Sequence, residues 1–121
     1  MSIAFFVSQA QADWQQWAST SEGVYYYDDV VLNENARITL SRMVDFAKPL
    51  TNLEGKEIAS EKTKTTLDCN EGKLAHAQVI RYAGTKASGD IMNQYETPLR
   101  FTRIAPNSAD EFLLKQLCPS R

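Results

Sequence analysis

The stretch that decides the fold is TTLDCNEGKLAHAQVIRYAG, residues 65–84, because it joins a turn to one of only two cysteines. Residues 70–72 (NEG) have the composition of a hairpin loop, with a glycine where a positive φ is needed. The run from Lys73 to Tyr82 therefore pairs back, antiparallel, on the segment that ends at Cys69. The second cysteine, Cys118, lies near the end of the chain.

Upstream of this hairpin, alternation of polar and apolar residues predicts further strands. Strands are expected at residues 14–20, at residues 24–32 and from Ala36 onward, with turn chemistry at residues 33–35. The alternation from Ala36 brings Arg42 onto an apolar face, so its side chain is expected at the rim or paired with a carboxylate. Pro49 cannot donate to a ladder and is expected to end this strand.

Two segments beside the hairpin are more polar. Residues 57–69 predict an edge strand or a strand with one wet face. Part of it, ASEKTKTT (residues 59–66), offers an edge at which a second copy pairs to make a homodimer. Residues 87–97 are weakly patterned around Gly89 and predict a mobile excursion, followed by a short final strand at residues 99–104.

The end of the chain has the signals of a helix. Ser108 with Glu111 three residues later is a capping box. The apolar positions Leu113, Leu114 and Leu117 share one face with Cys118, so the cysteine points toward the sheet. Pro119 closes the helix.

Bulk properties bound the function classes. A chain of 121 residues is one domain long, with a formal net charge of −2 and 10% aromatic residues. The cations are scattered without a basic stripe, which argues against nucleic-acid partners. No apolar run reaches the ~20 residues that a membrane span requires.

The N-terminus predicts export. Residues 1–12 form an uncharged, truncated signal-peptide-like leader, and Ala10-Gln11-Ala12 fits a signal-peptidase site. Cleavage there leaves residues 13–121 as the mature domain, in the periplasm, on the cell surface or secreted. The alternative is an apolar N-terminal strand of a cytosolic protein.

The compartment decides how the cysteines are interpreted. In an oxidising compartment, Cys69 and Cys118 are most simply one disulfide, which pins the terminal helix to the sheet. Such a bridge closes a long loop, and chain-entropy arguments assign it about 4 kcal/mol of stabilisation. In the cytosol the two residues are instead buried thiols.

The sequence gives little support for a catalytic site or a metal site. His76 is the sole histidine and is expected as a partly buried strand residue, so too few ligands exist for zinc. No nucleophile context such as GxSxG occurs, and no cofactor is implied. The candidate binding surface is Tyr25-Tyr26-Tyr27, in which Tyr26 faces one side of its strand and the other two face the opposite side.

The order of these signals resembles the surface-adhesin protein E-like family of small exported bacterial domains. The resemblance rests on four segments: STSEGVYYYDDVV, ARITLSRMVDFAKP, TTLDCNEGKLAHAQVIRYAG and PLRFTRIAPNSADEFLLKQLC. It implies an α+β fold, a single antiparallel β-sheet of about six strands with a C-terminal helix tethered to one face by the disulfide. It also implies no catalysis and, for the founding adhesin, attachment to host extracellular-matrix proteins.

We therefore expect a non-enzymatic, exported protein-binding domain, adhesin-like by resemblance. One alternative is a periplasmic small-molecule binder or enzyme inhibitor that uses the groove between sheet and helix; a deep pocket lined by Tyr26 or Arg42 favours it. Another is a small structural envelope protein that acts as a homodimer.

Overall fold

Strands and one helix follow one another in a simple order in the computed structural model, which describes residues 13–119. The predicted leader, residues 1–12, lies outside the described residues. The elements are β1 (Gln15–Thr20), β2 (Gly23–Asn33), β3 (Arg37–Thr51), β4 (Glu57–Asp68), β5 (Lys73–Tyr82), β6 (Ile91–Glu96), β7 (Thr102–Arg103) and α1 (Ala109–Leu117).

All strand pairs are antiparallel, and β1 to β6 lie side by side in sequence order, so each pair is a hairpin. The short β7 pairs with β5 beyond the end of β6. The predicted fold class is confirmed: a single antiparallel sheet with one terminal helix packed on it. A meander of this kind suits short polar turns, because antiparallel neighbours need no long crossover.

The hairpin of β4 and β5 forms as predicted. Gly72 has a φ of 65°, and the carboxylate of Asp68 accepts hydrogen bonds from the backbone amides of Asn70 (3.1 Å) and Glu71 (3.0 Å). These bonds hold the turn and leave Cys69 as its first residue, directly after β4.

The sheet has two faces, which we call the helix face and the back face. Residues paired across strands share a face. On the helix face, the apolar side chains Ile38, Leu40, Leu67 and Leu74 pack with Ile104 and with Leu113 of α1. Leu113 is fully buried. At about 25 cal/mol per Å² of apolar area, this cluster is the main source of stability for the docked helix.

The disulfide fixes the end of this helix. Cys69 and Cys118 are bonded, with their Cα atoms 5.6 Å apart and a sequence separation of 49. At the other end, the Ser108 side chain accepts from the Glu111 amide (3.2 Å), the predicted N-cap. The helix is thus capped at its start, tethered at its end and buried in the middle.

The structure corrects four local predictions, two of them only in part. Residues 87–97 are not an excursion, because β6 occupies most of this segment and pairs with β5. The final strand shrinks to Thr102–Arg103. Pro49 lies within β3 at a break in register between Asp45 and Leu50, instead of ending the strand.

The fourth correction concerns the polar strand β4. It lies between β3 and β5, so residues 59–66 are not an edge and cannot pair with a second copy. The other alternative, a strand with one wet face, agrees with the structure, since Lys62, Lys64 and Thr66 on the back face are exposed or half-buried. The threonines of β4 on the helix face are buried, Thr63 at 5% exposure and Thr65 at 0%. They satisfy each other, since their hydroxyl oxygens lie 3.0 Å apart. Threonine fits a pleated surface well, which explains how a polar sequence forms a central strand.

Candidate binding surfaces

The back face is covered by residues 83–90, which connect β5 to β6. Ser60, fully buried on β4, donates from its hydroxyl to the carbonyl of Gly84 (2.6 Å) and accepts from the amide of Ala87 (3.0 Å). The amide of Lys86 donates to the carboxylate of Asp45 (2.6 Å). This loop therefore closes over the back face through hydrogen bonds.

The three tyrosines divide between the faces as their alternation predicts. Tyr25 pairs with Val44, Tyr26 with Met43 and Tyr27 with Arg42. The ring of Tyr26 lies on the back face, with the Lys86 ammonium 5.4 Å from its centroid. Tyr26 therefore does not line the groove between sheet and helix, where the small-molecule alternative places it.

On the helix face, Tyr25 and Tyr27 surround Trp17. The centroid of the Trp17 ring lies 5.4 Å from that of Tyr25 and 6.2 Å from that of Tyr27. The Trp17 indole donates to the carbonyl of Ala109 (2.7 Å), so it also holds the first turn of α1. Tyr25 is only 7% exposed, and burial raises the pKa of its hydroxyl. These aromatic rings support the helix and offer little free surface.

Arg42 pairs with a carboxylate, one of the two predicted outcomes. Its Nε lies 3.0 Å from the Asp110 carboxylate at the start of α1, and its guanidinium lies 5.1 Å from the Tyr25 centroid. The pair closes the gap between sheet and helix at this end. An open cleft of about 480 Å³ begins beyond it, lined by Ser21, Glu22, Tyr25, Arg42, Val44, Phe46, Lys48, Leu50 and Glu61.

His76 is a partly buried strand residue, as predicted. Its Nδ1 lies 2.8 Å from the Thr65 hydroxyl, which in turn contacts Thr63. Burial lowers the pKa of His76, and the nearby charge of Arg42 lowers it further, while Asp110 raises it. The imidazole is therefore held in its neutral form and acts as part of a hydrogen-bonded row.

Neither a metal-binding cluster nor a membrane-spanning helix occurs in the described part of the chain. Residues 13–119 contain no group of three or more acidic, histidine or cysteine side chains arranged to hold a metal ion. Within the same residues, no helix is long and apolar enough to cross a membrane.

One surface was missed by the sequence interpretation: the distal part of β2. Val30, Val31 and Leu32 are 43%, 55% and 62% exposed. A bulge at Asp29 and Val30 interrupts the pairing with β3, which resumes at Val31, and Asp29 has a φ of 54°. The sequence signal for this surface is the consecutive aliphatic run VVL, which follows the tyrosines in the same predicted strand.

These features define a class: a one-sheet α+β domain whose terminal helix is held by a disulfide, with open surfaces around a filled core. Comparison with known proteins agrees. The family model for surface-adhesin protein E matches residues 14–119. Since that match spans nearly the whole chain, the protein belongs to the surface-adhesin protein E family.

Solved structures show the same fold at low sequence identity. Protein E from Haemophilus influenzae superposes with a TM-score of 0.66 and 13% identity, covering 91% of this chain and 86% of the other. A second crystal form of that protein gives 0.69, with 13% identity and coverage of 91% and 90%. Protein E from non-typeable Haemophilus influenzae gives 0.60, with 14% identity and coverage of 84% and 71%. Among curated proteins, none matches this sequence.

Proposed function

We propose that this chain is an exported, non-enzymatic domain that binds protein partners, in the manner of a surface adhesin. The observation that supports the proposal most strongly is membership of the surface-adhesin protein E family over residues 14–119. Residues 1–12 act as the export leader in this proposal, and the mature domain begins at Asp13. The final location is the cell surface, the periplasm or the medium.

The geometry of residues 13–119 is compatible with binding, and it brings no catalytic set of side chains together among them. The only histidine is committed to Thr65, and both cysteines are consumed by the disulfide. The apolar side chains under α1 fill the space between sheet and helix, with Leu113 at 0% exposure. A filled interface favours a scaffold that presents its outer surfaces over a binder that encloses a small ligand.

The tyrosine surface enters this proposal in a narrower form. Tyr25 is buried, and Tyr27 accepts a hydrogen bond from Gln116 (3.2 Å), so Tyr26 is the member best placed to meet a partner. Tyr26 is half-buried on the back face, beside the exposed side chain of Lys86. An aromatic ring with a neighbouring cation is a common element of protein interfaces.

A solid-phase binding assay tests the proposal. The purified chain is titrated over immobilised host extracellular-matrix proteins and over envelope proteins of its own cell, with serum albumin as a blank. Saturable binding to at least one of them is expected. If none binds, the protein-binding proposal fails and a small-ligand role regains priority.

A matched pair of variants tests the tyrosine surface in the same assay. Tyr26→Ser is expected to weaken binding, whereas Tyr95→Ser, which changes an exposed tyrosine on β6, is expected to leave it unchanged. Mass spectrometry of the exported protein tests the leader: the mature mass should begin at Asp13. A mass that begins at Met1 would contradict the export proposal.

A further inference from the structure

The distal part of β2 has an open backbone edge. Pairing with β1 ends at Gln15 and Tyr27, although β2 continues for six more residues to Asn33. On its other side β2 stays paired with β3 as far as Asn33 and Arg37. Among residues 13–119, no strand lies beside the outer edge of Val30–Asn33.

Among residues 13–119, this edge is blunted only by a bulge at Asp29 and by acidic residues at its two ends. Exposed edge strands are normally blunted by lysine, proline or a covering loop, because free amides and carbonyls recruit other chains. The bulge lies just beyond Tyr27, the last β2 residue paired with β1, and pairing with β3 resumes at Val31. The residues that follow Asp29 are three exposed aliphatic side chains in succession.

The other edge of the sheet provides a contrast. Strand β6 is also an edge among the described residues, but its centre is polar, with Asn93 and Gln94 exposed between Ile91 and Tyr95. Both edges offer backbone groups. At the β2 edge these groups lie beside exposed aliphatic side chains on both faces, with Leu32 on the helix face and Val31 on the back face. Within residues 13–119, this edge is therefore the stronger candidate for pairing with another strand.

Charge indicates what kind of strand fits. Asp28 and Asp29 precede the aliphatic run, and Glu34 follows it. If two copies paired antiparallel through this run, Asp29 would lie opposite Glu34 in each half, and like charges directly opposite destabilise a sheet. A strand with aliphatic residues at its centre and lysine or arginine at its ends removes that penalty.

We propose that the open edge of Val30–Asn33 binds an extended segment of a partner protein, aliphatic at its centre and basic at its ends, by adding it as a strand beside β2. The main-chain hydrogen bonds supply affinity, and the alternate side chains and end charges supply specificity. The proposed function is the reason for expecting a protein partner as the occupant. The open edge is observed independently of that function.

The experiment uses the full chain and a synthetic probe. A labelled peptide, acetyl-Lys-Val-Thr-Val-Thr-Val-Lys-amide, is titrated with the protein by fluorescence anisotropy, with a scrambled peptide that clusters its valines as a control. Saturable binding is expected for the alternating peptide, together with slower hydrogen exchange at Val30–Asn33. Absence of saturation up to about 1 mM overturns the proposal.

Backbone methylation of the peptide identifies the binding mode. In an added strand, alternate amides point toward the protein, so N-methylation of one alternate set should abolish binding while methylation of the other set preserves it. Equal loss from both sets, or no loss from either, overturns strand addition. These changes are made in the peptide, so the fold of the protein is not at risk.

Charge variants locate the site. Asp29→Asn with Glu34→Gln is expected to weaken binding by about threefold to tenfold at low salt, since each exposed ion pair contributes little. Asparagine tolerates the positive φ at position 29, which protects the fold. The matched control, Asp90→Asn with Glu96→Gln, removes the same charge from the flanks of β6 and should leave binding unchanged; equal weakening by both pairs overturns the assignment to β2.

Two further outcomes are decisive. Protection of Val30–Asn33 without peptide, whether in a monomer or in a dimer seen by sedimentation, means that the edge is already occupied and overturns the proposed partner. If the peptide binds but no immobilised protein does, the proposed function fails while the edge site stands. If a protein binds and the charge variants do not affect it, the proposed function stands and this site is wrong.

Discussion

The helix packs on its face of the sheet through an apolar cluster and a disulfide, whereas residues 83–90 cover the part of the back face around Ser60 through hydrogen bonds. Leu113 of α1 packs on aliphatic side chains of the sheet, and the Cys69–Cys118 disulfide lies at the edge of this cluster. Under residues 83–90 lies Ser60, fully buried and bonded to two backbone groups of the loop.

The difference shows that two covers, the helix and the loop, can pack on one sheet through different interactions, one through apolar burial and a disulfide and the other through hydrogen bonds. A nine-residue helix is too short to be stable alone in water, so it depends on burial and on its tether. The loop has little apolar surface and depends on satisfying polar groups that would otherwise be buried alone. The two covers should therefore respond differently to redox, cavity and hydrogen-bond changes.

The largest expected effect on stability comes from removing the disulfide that holds the helix. Replacing both Cys69 and Cys118 by alanine should lower the free energy of unfolding by about 4 kcal/mol, given a sequence separation of 49 residues. Urea denaturation measures it, and treating the native chain with dithiothreitol should reproduce most of the loss. A loss below about 1 kcal/mol would show that the tether is dispensable.

The apolar part of the helix cover is tested next. Leu113→Ala should cost about 3 kcal/mol, because Leu113 is fully buried and its removal leaves a cavity. Its neighbour Phe112 is 54% exposed, so Phe112→Ala is the matched control and should cost under about 1 kcal/mol. Equal losses would mean that the helix is docked by another face.

The hydrogen-bonded cover should yield a smaller effect. Ser60→Ala removes the acceptor for Ala87 and the donor for Gly84, and should cost about 1–2 kcal/mol. Hydrogen exchange of residues 83–90 should rise while that of α1 stays unchanged. Thr85→Ala, an exposed change in the same loop, is the control. If α1 also opens in Ser60→Ala, the two covers are not independent.

The smallest expected effect is a pH dependence of the unfolding free energy, which arises from His76 on the helix face. Burial lowers the pKa of His76 in the folded chain below its ordinary value of 6.5. The stabilisation is complete above pH 6.5 and is lost as the pH falls toward the folded pKa, because the unfolded chain binds the proton first. His76→Gln should flatten unfolding free energy against pH in that window; an unchanged slope would contradict a neutral, buried His76.

Local chemistry explains which parts of this fold were predictable. The helix start at Ser108, the turn at Gly72 and the split of the tyrosines all follow from residues within a few positions of one another. The disulfide between Cys69 and Cys118 required a second inference, the compartment, which the N-terminal pattern and the resemblance supplied.

The errors came from contacts that are distant in sequence. Strand β4 looked like an edge because its threonines are polar, yet Thr63 and Thr65 satisfy each other inside the sheet. Residues 83–90 carry loop composition, and their bonds to Ser60 and Asp45 join positions 24 to 41 residues apart. The open edge at Val30–Asn33 depends on where β1 stops pairing, which no local pattern specifies.

Amide hydrogen exchange, resolved by residue, on the oxidised and the reduced chain tests the central claim most directly. If the disulfide and Leu113 hold the helix while hydrogen bonds hold the loop, reduction should speed exchange across Ala109–Leu117 and leave residues 83–90 protected. Unchanged protection of the helix after reduction, or equal opening of both covers, would contradict that division.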